Sequence, residues 1–399
     1  MSENTKNKIT LTPSSVLNGE SPLVLTATLE PVAGLDRFQP AGFPEIGHVI
    51  YKAPRANGVE ERVCIVDSAA SMANHLESVC LRGAHDFELV DDLAGMPYLR
   101  CVTGTLDAAG KLKERELVVT SLTEGHRIAS SYFLEGHVLA EDGSQISRPA
   151  DKNVKKSKGK ESPSDANFQT LQDKLAADFG IVLAGSSKAH PPAEKWWNVF
   201  KTICRFDPNS LVHGVLFPQW QIKIPRFLTA HLEAFGASRV DRSGVKFDRL
   251  GKTTSGQPIF AVDDATAQAI RATFVFDIGL VRSFGRTKKN GNAEEQLGLS
   301  VEQKEFLVAL ALWKVQHLLA SPFRFRSGCH LRCVGVTSGD TDAEFSVDVK
   351  QAIKNGGFAT EPVTDVYWPR EELYREGKDE ETPEANEADQ NAGEPSTDD

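Results

Sequence analysis

The chain has 399 residues and six cysteines, and none of its apolar runs approaches the ~20 residues needed to cross a bilayer. These features exclude a small disulfide-stapled fold and a helical membrane protein. The net charge of −10 belongs to the end of the chain, because 371–399 contain twelve acidic and two basic residues and leave 43 of each in 1–370. A neutral body permits a local basic groove for nucleic acid. The polar start lacks the apolar core of a signal peptide, so we expect a cytoplasmic protein.

Strand and helix patterns are interleaved irregularly, which favours an α+β domain over a doubly wound sheet. We predict a polar lead-in over 1–20, one elaborated domain over 21–370 and an acidic, disordered tail over 371–399. Within the domain, the lysine-rich, low-complexity residues 148–166 predict a mobile insert. Residues 238–264 are rich in Arg, Gly, Ser and Asp and predict a hairpin insertion.

A loop of defined shape is predicted over 37–47. Pro40 and Pro44 exclude a helix there, because each fixes its own φ and removes a backbone donor. The loop carries one arginine, Arg37, and two aromatic rings. A strand pattern at 23–29 precedes it, and a hairpin around 49–66 follows it.

A helix is predicted next, with Asp67 or Ser68 as its cap and Gly83 as its end. Its polar face bears small hydroxyl and amide groups beside the positive end of the helix dipole. Such groups can hold a phosphate backbone, although an ordinary solvated face has the same pattern. Later patterns predict strands over 116–120, 211–217 and 273–278, helices over 121–134, 168–179, 225–235 and 301–320, an aromatic-rich helix around Trp196, and a basic loop over 282–291.

Arginine or lysine beside phenylalanine recurs along the chain. Cations bind phosphates and ring faces stack on bases, so this pattern favours single-stranded RNA, although any half-buried strand produces similar pairs. The pairs are Arg37-Phe38, Arg205-Phe206, Arg226-Phe227, Lys246-Phe247, Arg282-Ser283-Phe284 and Phe323-Arg324-Phe325-Arg326.

Sequence signals for catalysis and metal binding are weak. The segment 244–253 has six residues between its glycines, whereas a P-loop needs four. Cys329, His330 and Cys333 lack a second ligand pair nearby, so we expect no zinc site and no other cofactor.

The run Arg37–Pro44, followed by Val66-Asp67-Ser68 and Ser71–Glu77, resembles the backbone subunit of type I-G (formerly I-U) CRISPR Cascade. That subunit is the Cas-seven-type member of the RAMP superfamily. The resemblance implies a modified RNA-recognition (ferredoxin-like) core with large insertions. It also implies a thumb hairpin that kinks the guide, for which 238–264 is our first choice and 48–63 the rival.

The resemblance further implies a role in antiviral defence. Copies of the chain would polymerise along CRISPR RNA and contact the target DNA strand through the guide. Other partners would be a fused guide-processing subunit, a large subunit and a recruited helicase-nuclease. In this chain, the resemblance implies the following RNA contacts: Arg37, Phe38, Gln39, Phe43, Ser68, Ser71, Asn74, His75, Arg282, Arg286, Arg324 and Arg326.

Two alternatives stay open beside a non-catalytic RNA scaffold. One is a RAMP-type ribonuclease acting on guide or target RNA, with Asp67 or His75 as an acid/base group. The other is a protein-only assembly module. The usual glycine and aromatic signature of an RNA-recognition strand is absent, so we expect RNA contacts through loops and backbone.

Overall fold

The computed structural model describes residues 8–42, 47–56, 58–108, 110–140, 142–147, 168–181, 190–241, 263–290, 293–360 and 362–373. The sequence predictions that fall wholly or largely outside these ranges include the lysine-rich insert, most of the segment 238–264 with the pair Lys246-Phe247, Phe43 in the 37–47 loop, and most of the acidic tail.

Strands and helices both contribute heavily, so the fold is α+β as predicted. The strands are β1 Lys8–Leu11, β2 Leu23–Pro31, β3 Ile50–Pro54, β4 Glu60–Asp67, β5 Leu81–Gly83, β6 Asp86–Leu89, β7 Tyr98–Leu106, β8 Leu112–Thr120, β9 His137–Val138, β10 Val215–Phe217, β11 Ile222–Ile224, β12 Leu228–Phe235, β13 Ser238–Val240, β14 Asp264–Thr266, β15 Ala269–Phe276, β16 Gly285–Asn290, β17 Ala293–Gly298, β18 Phe323–Arg326, β19 Cys329–Ser338, β20 Thr341–Phe345 and β21 Val363–Tyr367. The helices are α1 Pro13–Asn18, α2 Ala69–Ser78, α3 Ser131–Leu134, α4 Leu171–Phe179, α5 Trp196–Phe206, α6 Pro208–His213, α7 Ile278–Ser283, α8 Val301–Leu319, α9 Val349–Asn355 and α10 Arg370–Leu373.

One large sheet forms the centre of the fold, in the order β1-β20-β19-β2-β15-β12-β4-β3, with β18 paired to β19. Its four middle strands are β19, β2, β15 and β12, and each is antiparallel to its neighbour. β15 shows why they form a sheet, since Ile270, Ala272, Phe274 and Phe276 are buried at every second position. A smaller sheet has the order β8-β7-β21-β9.

Helix α8 packs in the core, as its apolar sequence predicted. Every residue from 306 to 315 is buried, and the helix contacts α1, α2, α6, α7 and α9. Ser300 and Gln303 have the spacing of a capping box in the sequence, and the box is present, because Ser300 Oγ accepts from Gln303 N and Gln303 Oε1 accepts from Ser300 N. Helix α2 contacts both α8 and β12, so the central sheet and α8 hold it in place.

The predicted helix over 225–235 is wrong. Leu228–Phe235 is strand β12, which pairs with β15 on one side and β4 on the other. Leu228 and Leu232 have helical spacing, but burial alternates along the whole segment. The local pattern allows a helix or a strand, and pairing on both edges makes the segment a strand.

The predicted strand over 211–217 is correct only for its last three residues, because Gly214 divides the segment. Gly214 has φ 82°, in the region that favours glycine, and separates helix α6 from the short strand β10. The predicted helix over 121–134 is reduced to a 3₁₀ turn at Arg127–Ala129 and the short α3, because Arg127 has φ 54°, which an α-helix does not allow.

Three boundaries also differ from the predictions. The basic segment over 282–291 is mostly the strand β16, which pairs with β17, rather than a loop. Helix α2 ends at Ser78 and not at Gly83, which lies in β5. The segment predicted as a lead-in includes β1, which pairs with β20, and α1, which contacts α8.

Candidate nucleic-acid interface

Asp67 lies at the junction of β4 and α2, and its side chain is 1% exposed. Its Oδ1 accepts from the backbone N–H of Ser68 at 2.9 Å, and Oδ2 accepts from His75 Nε2 at 2.9 Å. Arg326 Nη2 lies 2.9 Å from Oδ1. Three segments of the chain therefore meet at one carboxylate.

This carboxylate stays ionised at neutral pH. Burial raises the pKa of Asp67, but the hydrogen bond from His75 and the positive charge of Arg326 outweigh burial and hold that pKa below its ordinary value. The side chain therefore serves as a buried anchor for cationic and N–H donors.

The start of α2 is capped beside this anchor. Ser68 Oγ accepts from the backbone N–H of Ser71 at 3.2 Å, as the sequence predicted for one of the two candidate caps. Ser71 Oγ lies 3.3 Å from His75 Nε2, the same nitrogen that donates to Asp67. The exposed Asn74 lies on the same helix.

Arg326 also holds the loop that begins at Arg37. Its Nη1 donates to the carbonyl of Val66 at 2.5 Å and to that of Gln39 at 3.4 Å. Backbone bonds add to this, since Gln39 N donates to Gly328 O and Ala41 N to Val66 O, both at 2.9 Å. The loop, the end of β4 and β18 thus form one connected unit.

Two rings of β18 pack against His75. Phe323 and Phe325 each contact it edge-to-face at a centroid distance of 5.3 Å. Arg324 is exposed and donates to Ser327 Oγ at 2.8 Å. The rings thus position His75, and Arg324 keeps its charge at the surface.

The predicted contact residues of the Arg37 loop differ in exposure. The side chain of Arg37 is 56% exposed and lies 3.5 Å from Asp264 Oδ2. Phe38 is buried, so its ring is not accessible for base stacking in this structure, and its backbone pairs with Ala265. Gln39 is half-buried.

Arg282 and Arg286 are held in other parts of the fold. Arg282 donates to the carbonyl of Leu17, in the last turn of α1, at 2.7 Å, and to that of Gly19, which follows the helix. The guanidinium of Arg286 lies over the ring of Trp197, 5.6 Å from its centroid. The structure therefore brings together Gln39, Ser68, Ser71, His75 and Arg326. Arg37, Asn74 and Arg324 lie on the adjoining surface. Arg282 and Arg286 do not belong to this group.

A family model described as CRISPR-associated protein GSU0053 (Cas_GSU0053) matches residues 23–239, more than half of the chain. The chain belongs to this CRISPR-associated family. No curated protein matches it. Membership supports a role in CRISPR defence. The matched region contains the Arg37 loop, Asp67 and α2, whereas β18 lies beyond it.

The GSU0053-family chain brings the two acid/base candidates together, which the sequence did not reveal. Their geometry differs from a Ser-His-Asp triad, in which the carboxylate and the hydroxyl use opposite nitrogens of the imidazole. Here the carboxylate of Asp67 and the hydroxyl of Ser71 both lie within hydrogen-bonding distance of the same nitrogen, Nε2 of His75. Among the described residues there is no group of three His, Cys, Asp or Glu that could hold a metal ion.

Sequence reasoning missed Arg226 as a neighbour of this site. Its Nη1 donates to the carbonyl of Ala69, in the first turn of α2, at 3.2 Å. Arg226-Phe227 was among the cation–aromatic pairs, but the segment was predicted as a helix, so its contact with α2 was not foreseen.

Within the described ranges, no helix is long and apolar enough to span a membrane.

Proposed function

We propose that this chain is the non-catalytic backbone subunit of a type I-G Cascade, and that it binds CRISPR RNA through the surface around the Arg37 loop, the first turns of α2 and β18. The contact of Arg326 with Asp67 carries the proposal, because it joins the three segments that provide most of the expected RNA contacts. A phosphate backbone needs cations and hydrogen-bond donors held in register, which rigid support of this kind provides.

The strand order supports an RNA-recognition-like core. In chain order, β2, α2, β12, β15, α8 and β19 follow a βαββαβ pattern, and β15 pairs between β2 and β12. This order agrees with the split βαβ arrangement of ferredoxin-like folds and so supports the proposed core. The strands β3 and β4 extend one edge of this core, while β20 and β1 extend the other.

The two ends of the segment 238–264 support our first choice of thumb. The strands β13 and β14, which lie at these ends, pair with each other. Arg37 lies against Asp264, and His48 bridges the carbonyls of Ala41 and Asp263. A hairpin that kinks the guide would therefore begin beside the loop that contacts it.

Co-purification tests the proposal. The chain is expressed with a matching CRISPR array, once alone and once with the other Cascade subunits, and the RNA content and mass of each particle are measured. We expect RNA of uniform length in a particle with several copies of the chain. A multi-subunit particle without RNA would overturn the proposal and favour a protein-only assembly module.

A ribonuclease is the second candidate, because His75 and Asp67 lie 2.9 Å apart. The low pKa of Asp67 and its contact with Arg326 argue against it as a general base near neutral pH. Cleavage of guide or target RNA by the purified chain, abolished by Asp67→Ala or His75→Ala, would replace our proposal with this one.

A further inference from the structure

Glu77 lies in the last turn of α2, and its carboxylate is buried. The guanidinium of Arg127 donates to both carboxylate oxygens, from Nε to Oε1 at 2.7 Å and from Nη2 to Oε2 at 3.0 Å. The side chain of Asn209 donates a third hydrogen bond, to Oε1, at 2.6 Å. Two other segments of the chain therefore hold this carboxylate through three N–H groups.

The network continues from Glu77 to the central helix α8. Asn209 Oδ1 accepts from the ammonium of Lys314, a fully buried residue of α8. The same ammonium lies 3.0 Å from Nε2 of His213 and donates to it, since an ammonium has no acceptor. A continuous chain of buried hydrogen bonds thus connects the end of α2 to α6 and α8.

Arg127 has a backbone conformation that is uncommon for a residue with a side chain. Its φ is 54°, in the left-handed region. Besides Glu77, its buried guanidinium contacts the carbonyl of Gly214, to which Nη1 donates at 3.3 Å. A residue other than glycine persists in this region where the surrounding contacts fix it, and such residues are concentrated at functional sites. The cation that holds Glu77 is therefore itself closely fixed.

Glu77 and His75 lie on opposite flanks of the outer face of α2. Successive residues of an α-helix are rotated by about 100°, which places these two side chains about 160° apart around the axis. Asn74 is exposed and lies between them, about 60° from Glu77. Asp67 holds the flank at His75, at 2.9 Å, and Arg127 holds the flank at Glu77. Two buried carboxylates therefore fix the rotation of α2 about its own axis, one on each flank.

We propose that Glu77 is a positioning residue for RNA binding, which sets the rotation of α2 and so directs Ser71 and Asn74 toward the RNA. The inference rests on the proposed function, because these two side chains belong to the proposed RNA surface. Stability alone does not require the arrangement, since apolar side chains of similar volume often replace a buried ion pair without loss of stability. A two-pronged ion pair, by contrast, is satisfied only in a narrow range of relative positions.

The first test measures the orientation of α2 without RNA. The chain is labelled with ¹⁵N-histidine, and the Nε2 resonance of His75 is compared in the wild type, Glu77→Gln and Asp365→Asn. Asp365 is the matched control, because its carboxylate is also largely buried and lies 2.8 Å from an arginine, Arg100, but in the smaller sheet. We expect Glu77→Gln to shift the resonance, because rotation of α2 changes the hydrogen bond from His75 to Asp67, and Asp365→Asn to leave it in place. An unshifted resonance in Glu77→Gln, or equal shifts in both variants, would overturn the proposal.

A double variant separates positioning from stability. Glu77→Met with Arg127→Met replaces both charges by apolar side chains of similar length, so we expect urea unfolding close to that of the wild type. Its RNA affinity in the assembled complex should nevertheless fall, because the hydrogen bonds that fix the rotation of α2 are gone. Wild-type affinity in this variant would show that Glu77 acts on stability alone and would overturn the proposal.

The closing experiment measures the RNA affinity of complexes assembled with the single variants. We expect Glu77→Gln to bind guide RNA roughly 5- to 30-fold more weakly, the effect of losing one or two hydrogen bonds to the RNA, while Asp365→Asn binds like the wild type. Equal affinities of the two variants, with RNA bound by the wild type, would overturn the role of Glu77 and leave the proposed function standing. A wild-type complex without RNA would instead overturn the proposed function itself.

Discussion

The guanidinium of Arg326 lies 2.9 Å from the carboxylate of Asp67 and joins β18 to the junction of β4 and α2. The same guanidinium bonds to the carbonyls of Val66 and Gln39. One side chain therefore sets the relative position of the helix start and the Arg37 loop. Its role in this structure is support, and in our proposal the outer groups of the surface contact the RNA.

Replacing Arg326 tests this support. Arg326→Ala leaves the Asp67 carboxylate buried without its cation, so we expect a loss of about 2–4 kcal/mol in unfolding free energy, measured by urea denaturation. The matched control is Arg324→Ala on the same strand, because Arg324 is exposed. It should change stability by less than about 0.5 kcal/mol. Equal effects of the two variants would show that Arg326 is not the anchor.

Asp207 gives a prediction for the dependence of stability on pH. Burial raises its pKa to about 6 from an ordinary value of 3.8. Between these values the native state holds a proton that the unfolded chain has lost, so stability falls as pH rises, by on the order of 3 kcal/mol. Asp207→Asn should remove this fall and be the more stable protein at pH 7. Urea unfolding at pH 4.5 and pH 7 checks it, and parallel pH dependences in the two proteins would contradict it.

Gly104 tests the smaller sheet. It has φ 145°, and a Cβ there would lie 1.5 Å from the carbonyl oxygen of Glu114 on β8. Gly104→Ala should therefore separate β7 from β8 and cost roughly 2–4 kcal/mol in thermal or urea unfolding. Gly110→Ala is the control, because Gly110 also has positive φ but faces open space. It should cost about 1 kcal/mol, and a cost as large as that at Gly104 would count against the steric explanation.

Local signals in the sequence predicted several elements correctly. Ser68 and Ser300 are helix caps, because each hydroxyl accepts from the backbone N–H three residues later in the chain. This hydrogen bond does not depend on distant parts of the chain. The left-handed Gly180 ends α4 for a similarly local reason. Such features could be predicted from the sequence because their partners are close in the chain.

The failures occurred where distant pairing decided the structure. Leu228–Phe235 suits a helix by spacing, and only its pairing with β4 and β15 makes it a strand. The sequence predicted Asp67 as a helix cap or an acid/base group. Its contact with Arg326 was missed, because Arg326 is remote in the sequence. The contact of Arg226 with Ala69 was missed for the same reason, since the two residues are far apart in the sequence.

The most direct test of the central claim compares guide RNA bound by Arg37→Glu and Arg82→Glu in the assembled complex. The two arginines match well, with side chains 56% and 53% exposed and one carboxylate contact each. We expect Arg37→Glu to retain several-fold less RNA per protein chain, while its melting temperature stays within about 2 °C of that of Arg82→Glu. Retention of RNA by Arg37→Glu at the level of Arg82→Glu would contradict the claim that this loop holds the guide.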